Sequence, residues 1–146
     1  MIIRDIEPKD RAQWAVLWQG YLKFYDVADM PANITERTWE RFFDSDEPVF
    51  AMVAEEGETL LGLVHYVFHR NTWCLDDVCY LEDLFAAEAA RGKGVGHALI
   101  EAVYTKAKAR KVTRVYWVTQ EGNTTARKLY DKVAEKTDFV QYRKYL

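Results

Sequence analysis

The stretch EDLFAAEAARGKGVGHALIE, Glu82 to Glu101, sets two carboxylates, a short apolar link and three alternate glycines directly ahead of a helical pattern. Glycines where a helix begins leave free backbone N–H groups and the positive end of the helix dipole converging on one spot, and that spot suits a phosphate. Gly92, Gly94 and Gly96 permit positive φ and close approach to a ligand, while Arg91 and Lys93 add local positive charge. Two familiar phosphate loops do not fit. The spacing is G-x-G-x-G, not the G-x-G-x-x-G of a dinucleotide site, and it lies in the second half of the chain. Lys93 is followed by Gly94, not by the Ser or Thr with which a Walker loop reaches magnesium. Further on, Asn123, Ala126, Leu129 and Tyr130 follow the pattern N-x-x-A-x-x-L-Y, which sets Tyr130 two turns along a helix, on nearly the same side as Ala126. A phenol with a pKa of about 10 is a proton donor that stays neutral at working pH.

Placing these residues takes a mixed α/β order. MIIRDI reads as a short strand that stops at Glu7-Pro8, and Trp14, Leu17, Trp18, Tyr21, Leu22 and Tyr25 then recur at helical spacing. Thr35 is placed to cap a second helix carrying Trp39, Phe42 and Phe43. VFAMVAEE and TLLGLVHYVFH are β-rich runs joined across Gly57 as a hairpin, and WCLDDVCYLEDLF is a third run. From Gly94 to Arg110, Val95, Ala98, Leu99, Ala102 and Val103 form one stripe, and RVYWVT follows as a strand. Asn123 is expected to cap a last helix with Ala126, Leu129, Tyr130 and Val133 inward, before a final strand around FVQYRKYL.

At 146 residues and 49% hydrophobic content the chain is expected to form one globular domain over residues 1–146. A formal charge of -3 gives no overall basic field to draw it onto nucleic acid, so an anion site must be local. Cys74 and Cys79, on what reads as one strand, point to opposite faces and are expected to be reduced packing residues. His65, His69 and His97 are neither clustered nor at ligand spacing, so no metal is expected. MIIRDIEPKD lacks an apolar signal segment and no run reaches the roughly 18 apolar residues of a membrane span, which points to a cytoplasmic protein with no membrane partner.

Arg91-Gly92-Lys93-Gly94-Val95-Gly96 resembles the pyrophosphate signature Q/R-x-x-G-x-G/A of the GNAT N-acetyltransferases. YLEDLF ahead of it and EGNTTARKLY after it resemble the diamine and polyamine branch, and the likeness in element order covers nearly the whole chain. The resemblance implies the GNAT fold, an α/β architecture whose central, mostly antiparallel sheet carries helices on both faces. It implies acetyl-CoA as acetyl donor, a small di- or polyamine or similar primary amine as acceptor, and a homodimer. It also implies that the strand holding Glu82 splays from its neighbour, leaving backbone groups of Leu84, Phe85 and Ala86 free for the acetyl carbonyl and pantetheine. Arg91, Gly92, Lys93, Gly94, Val95, Gly96 and the N–H of His97 would hold the pyrophosphate, with Asn123 and Ala126 flanking the coenzyme. One departure is Ala134, where the family often has glycine, so the last helix is expected to end differently.

An amine must be neutral to attack a thioester, and negative charge develops on the carbonyl oxygen as it adds. Glu82 is the expected base and Tyr130 the expected acid that protonates the leaving thiolate. Transfer from the diamine branch marks Tyr25, Asp26, Glu82, Tyr116, Trp117 and Val118 as substrate-side residues. Asp26, Asp76, Asp77, Glu82 and Asp83, with Tyr25, Trp73, Tyr80 and Trp117 between them, are expected to make an acidic pocket for a cationic amine. A peptide or protein lysine, or an aminoglycoside-like amine, would need the same acid and base. A sensor of acyl-CoA would need neither Glu82 nor Tyr130, and a nucleotide-binding protein is a third alternative.

Overall fold

The β-rich runs line up in one sheet whose central strands are buried over consecutive residues, because helices with apolar stripes cover both of its faces. The computed structural model describes residues 1–146. Its strands β1 (Ile2–Asp5), β2 (Val49–Glu56), β3 (Thr59–His69), β4 (Val78–Ala86) and β5 (Val115–Tyr116) lie side by side in chain order. The first three pairings are antiparallel and β4 to β5 is parallel. The helices are α1 (Arg11–Phe24), α2 (Ala32–Arg41), α3 (Val95–Ala109) and α4 (Thr124–Val133). The parallel step needs a crossover, and α3 supplies it. No helix is long and apolar enough to cross a membrane.

On one face Trp14, Leu17, Trp18 and Leu22 of α1 bury against Ala51, Val53 and Leu63, with Trp39 and Phe42 packed alongside. On the other, Val95, Leu99, Ile100 and Val103 of α3 bury against Met52, Val64, Tyr66 and Phe68, and Leu129, Tyr130 and Val133 of α4 lean on that cluster. Each fully buried large aliphatic side chain contributes on the order of 1.5–3 kcal/mol, so these stripes hold the helices to the sheet. Gly57 turns the β2–β3 hairpin at φ 63, a left-handed value that glycine adopts without strain.

The pairing of β3 with β4 is interrupted once. His65 pairs with Asp83 and Tyr66 with Leu81, so Glu82 is an extra residue, a β-bulge. The bulge reverses the alternation of side chains along β4. Before it, Cys79 and Leu81 face the α3 core; after it, Leu84 and Ala86 do, and Phe85 faces the α1 core.

Several expected boundaries move. α2 begins at Ala32 behind Pro31, and Thr35 lies inside the helix, where its Oγ1 accepts a hydrogen bond from Trp18 Nε1 at 3.3 Å. The third β run starts at Val78, because Asn71 Oδ1 gathers the N–H groups of Trp73 and Cys74 into a turn. Cys74 is therefore an exposed loop residue, and only Cys79 is buried on the strand, where burial pushes its thiol up to about 12. Of RVYWVT only Val115 and Tyr116 pair. Asn123 holds the cap position of α4, but its Nδ2 donates to Thr119 Oγ1 at 3.2 Å and makes no cap bond. The last strand does not form: α4 ends at Val133, Ala134 is extended at φ -152, and residues 135–146 have no strand partner. β-propensity without a neighbouring strand leaves the backbone without a ladder.

Candidate active site

Gly92 and Gly94 both take left-handed φ, 80 and 78. A Cβ at either would meet nothing within 4 Å, so it is the backbone conformation, not crowding, that calls for glycine. The first backbone bond of α3 runs from the Ala98 N–H to the Gly94 carbonyl, and the N–H groups of Gly94, Val95, Gly96 and His97 have no backbone partner. Val95 is buried in the core and anchors this turn, while Arg91, Lys93 and His97 are exposed around it. The Arg91 guanidinium sits 5.9 Å from the Phe24 and Phe85 ring centres. Unpaired amides at a helix start, ringed by cations, fit a pyrophosphate.

Beside this cradle β4 loses its neighbour. β5 pairs only Cys79 and Tyr80 of β4, so from Leu81 onward that edge carries no strand, including Leu84, Phe85 and Ala86. α4 approaches the cradle from α3: a Cβ on Gly96 would lie 3.4 Å from Leu129 Cδ2, and Tyr104 donates a hydrogen bond to the Val133 carbonyl at 2.8 Å. Asn123 and Ala126, both partly buried, begin this helix. Tyr130 meets the Trp117 ring at 5.4 Å in an edge contact. Burial, then the neighbouring Tyr25, pushes the Tyr130 phenol up to about 12.

On the α1 side of the bulge lies a hollow of about 360 Å³. Trp18, Tyr21, Tyr25 and Phe42 supply aromatic walls, and His65, Glu82 and Asp83 supply its titratable groups. Glu82 is exposed as a residue, yet loss of water raises its carboxyl above the ordinary glutamate value, and the adjacent Asp83 charge adds to this. Burial, followed by the charge of Asp83, holds the Tyr21 phenol well above its usual range. No lysine or arginine lines the hollow.

The expected substrate-side residues separate. Tyr25 and Glu82 line the hollow. Tyr116 lies outside it, stacked on Tyr80 at 5.0 Å with its hydroxyl 2.7 Å from His69 Nε2. Trp117 packs behind, against Tyr130, and Asp26 and Val118 are exposed and line no wall of the hollow. The broader acidic pocket does not assemble. Asp76 and Asp77 gather near Arg70 and Arg110 in a separate surface hollow, and Trp73 is fully on the outside. The loop after β3 carries Asp76 and Asp77 away from this hollow, and the bulge sets Glu82 and Asp83 side by side on its wall.

A model of the acetyltransferase (GNAT) family matches residues 14–134. The chain belongs to that family. This acetyltransferase is an N-acetyltransferase that takes its acetyl group from acetyl-CoA. It is 40% identical over 146 residues to the D-amino-acid N-acetyltransferase HPA3 of Saccharomyces cerevisiae, covering 99% of this chain and 90% of the yeast protein. It is 28% identical to the uncharacterized N-acetyltransferase YhfO of Bacillus subtilis, covering 97% and 95%. Among solved structures, AAC(6')-Iy in complex with the bisubstrate analog CoA-S-monomethyl-acetylneamine superposes with a TM-score of 0.83 at 21% identity, covering 99% and 98%. The acetyltransferase shares that fold.

The site also holds residues that the sequence pattern did not single out. His65 carried no ligand spacing, and its role emerges only from its cross-strand partner, Asp83. The walls Trp18 and Tyr21 read simply as an apolar helix face. Asp83 was visible as the neighbour of Glu82, but regular alternation would have sent it to the opposite side of the sheet.

Proposed function

We propose that this acetyltransferase acetylates the primary amine of a small cationic acceptor, a di- or polyamine or a similar amine, with Glu82 as base and Tyr130 as acid. The observation that carries this is the hollow beside the cradle, which has two carboxylates on one wall and neither lysine nor arginine in its lining. Acetyl-CoA supplies an activated thioester carbonyl. The amides from Gly94 to His97, with Arg91, Gly92 and Lys93, take its pyrophosphate. The open edge at Leu84, Phe85 and Ala86 takes the pantetheine, with Asn123 and Ala126 on the far wall. Glu82 removes the proton from the acceptor ammonium, so the nitrogen can attack. As the carbon–sulfur bond breaks, the Tyr130 hydroxyl gives its proton to the departing sulfur and the second proton of the attacking nitrogen restores the phenol, whose raised pKa keeps it protonated until then.

A second reading is supported by the yeast relative, whose name specifies D-amino acids. Such an acceptor brings a carboxylate toward Glu82 and Asp83, so it would have to be oriented with that group away from them. The test is a thiol-release assay with acetyl-CoA and a panel of diamines, matched monoamines, D- and L-amino acids and a lysine peptide. Preference for diamines supports the proposal. Preference for D-amino acids or the peptide replaces the acceptor class. CoA binding with no transfer to any of them leaves a sensor.

The proposed functional unit is a homodimer of single-domain chains. Its support is the segment 135–146, whose Phe139, Val140, Tyr142 and Tyr145 are 77–93% exposed and need cover. Light scattering of the full chain and of a chain ending at Ala134 tests this: loss of the dimer in the shorter chain supports it, and a full-length monomer overturns it.

A further inference from the structure

Beneath Glu82 lies a buried titratable group to which the proposed mechanism assigns no step. His65 is 2% exposed at the middle of β3, enclosed by the rings of Trp18 at 5.1 Å and Phe42 at 4.9 Å. Its two ring nitrogens have different partners. Nε2 lies 3.0 Å from Trp14 Nε1, and Nδ1 lies 2.9 Å from Asp83 Oδ2. An indole N–H only donates, so Nε2 must be the acceptor and carry no proton. The single imidazole proton is then on Nδ1 and is donated to Asp83. In this arrangement the imidazole is neutral: it orients the carboxylate without cancelling its charge. A lysine or arginine at position 65 would have formed an ion pair instead.

Nothing else in the surroundings neutralises Asp83. From α1 come Trp14, Trp18 and the neutral Tyr21, whose hydroxyl faces Asp83. After α2 comes Phe42, and from β2 the cross-strand neighbour is Ala51. Tyr25, just past α1, feels the Asp83 charge; Glu82, Tyr80 and Tyr116 lie on the other flank, where Arg143 acts on Tyr80 and Arg114 on Tyr116, and neither arginine pairs with Asp83. Of the cations on α1, Arg11 stacks on Trp14 and Trp39 and pairs with Glu36, and Lys23 is exposed and lines no wall of the hollow. No lysine or arginine pairs with Asp83, and its hydrogen-bond partner is the neutral His65 ring.

We propose that His65 is a positioning residue of the acceptor site: locked in its neutral Nδ1–H form by Trp14, it aims the Asp83 carboxylate into the hollow, without cancelling its charge, to anchor the acceptor's cationic nitrogen, and leaves Glu82 as the group that exchanges protons. The lock is a chain of three, Trp14 to His65 to Asp83, reaching from the core to the pocket wall. It divides the labour of two adjacent carboxylates: one is fixed by a neutral donor, the other has no such donor. This deepens the amine-acetylating role proposed above and rests on it.

Imidazole nitrogen NMR of the full chain at neutral pH tests the lock without reference to turnover. The expected spectrum shows His65 as the neutral Nδ1–H tautomer. An Nε2–H tautomer or an imidazolium signal overturns the proposal. Trp14→Phe keeps a ring in the core but removes the donor, so His65 can take up a second proton and cancel Asp83. Its expected phenotype is an amine KM raised about tenfold at mildly acid pH and recovering as pH rises, with the KM for acetyl-CoA unchanged. His65→Gln, which retains an N–H donor for Asp83, should stay within about threefold of the parent. His65→Leu should raise the amine KM at every pH. An amine KM in Trp14→Phe that matches the parent at all pH values overturns the proposal, and this variant decides the matter if His65→Leu does not fold. If no amine is acetylated by the parent, the proposed acceptor class falls while the tautomer is still read by NMR.

Discussion

Glu82 and Asp83, consecutive in the chain, open onto the same hollow because the bulge in β4 interrupts the alternation between them. Two like charges so close cannot ionise independently, and Glu82 is the member whose pKa is raised. A base works only when deprotonated, so kcat/KM should rise with pH through the Glu82 value, above the ordinary range for glutamate. Asp83→Asn removes one cause of that elevation and should move the acid limb to lower pH. Glu82→Gln should flatten the limb and lower kcat by about 10²-fold or more. The check is kcat/KM against pH in the three proteins, and an unmoved limb in Asp83→Asn would separate the two carboxylates electrostatically.

Tyr130→Phe should lower kcat by roughly 10²-fold with little change in coenzyme affinity, the usual scale for a positioned acid. With the phenol pushed up to about 12, no alkaline fall in rate from Tyr130 is expected below that pH. Retained turnover in a variant that binds CoA normally would leave Tyr130 as packing for Trp117 and nothing more.

Gly94→Val forces a branched side chain onto φ 78. The substitution should cost about 1–2 kcal/mol or shift the turn, and the displaced amides should weaken CoA binding while the sheet remains folded. Calorimetry with CoA, alongside a thermal melt, measures both effects. Normal affinity in a folded variant would remove the loop from the coenzyme site.

Stability should depend on acid through Asp10. Arg4 grips it with two bonds, 2.8 and 2.9 Å, while reaching Glu55 at 2.8 Å with its third nitrogen. The guanidinium holds the Asp10 carboxyl below its ordinary value, so the pair contributes stability above the unfolded-state pKa, and that contribution is lost as pH falls through the lower folded value. Arg4→Met leaves a carboxylate that is 3% exposed without its cation, at a cost of about 3 kcal/mol. Melts at neutral and acid pH should show the gap between the two proteins narrowing as Asp10 protonates.

The strands bounded by turns of their own, β2 and β3, are legible residue for residue, because VFAMVAEE and TLLGLVHYVFH are β-rich apolar runs that meet across Gly57. The cradle is legible too, since Gly92 and Gly94 stand where only glycine takes the required φ without strain. What fails to show is what depends on partners. FVQYRKYL has the composition of a strand, but a strand needs a neighbour, and composition does not name one. Asn71 delays the start of a β run by capturing two backbone amides, a local competition that period counting overlooks. The bulge at Glu82 leaves no mark in composition at all, yet it decides which residues share the hollow.

Gly62 has no part in any chemical step, but it sets a tolerance for the whole site. An added Cβ there would come within 2.7 Å of the Phe85 carbonyl oxygen on one side and 2.7 Å of Val95 Cγ1 on the other. One is the backbone of the open β4 edge and the other is the first residue of α3. A hydrogen atom on β3 thus gauges the gap between the surface proposed for pantetheine and the turn proposed for pyrophosphate. Even alanine at this position would wedge the two apart, so the proposed coenzyme fit would change at both ends from one position on a neighbouring strand.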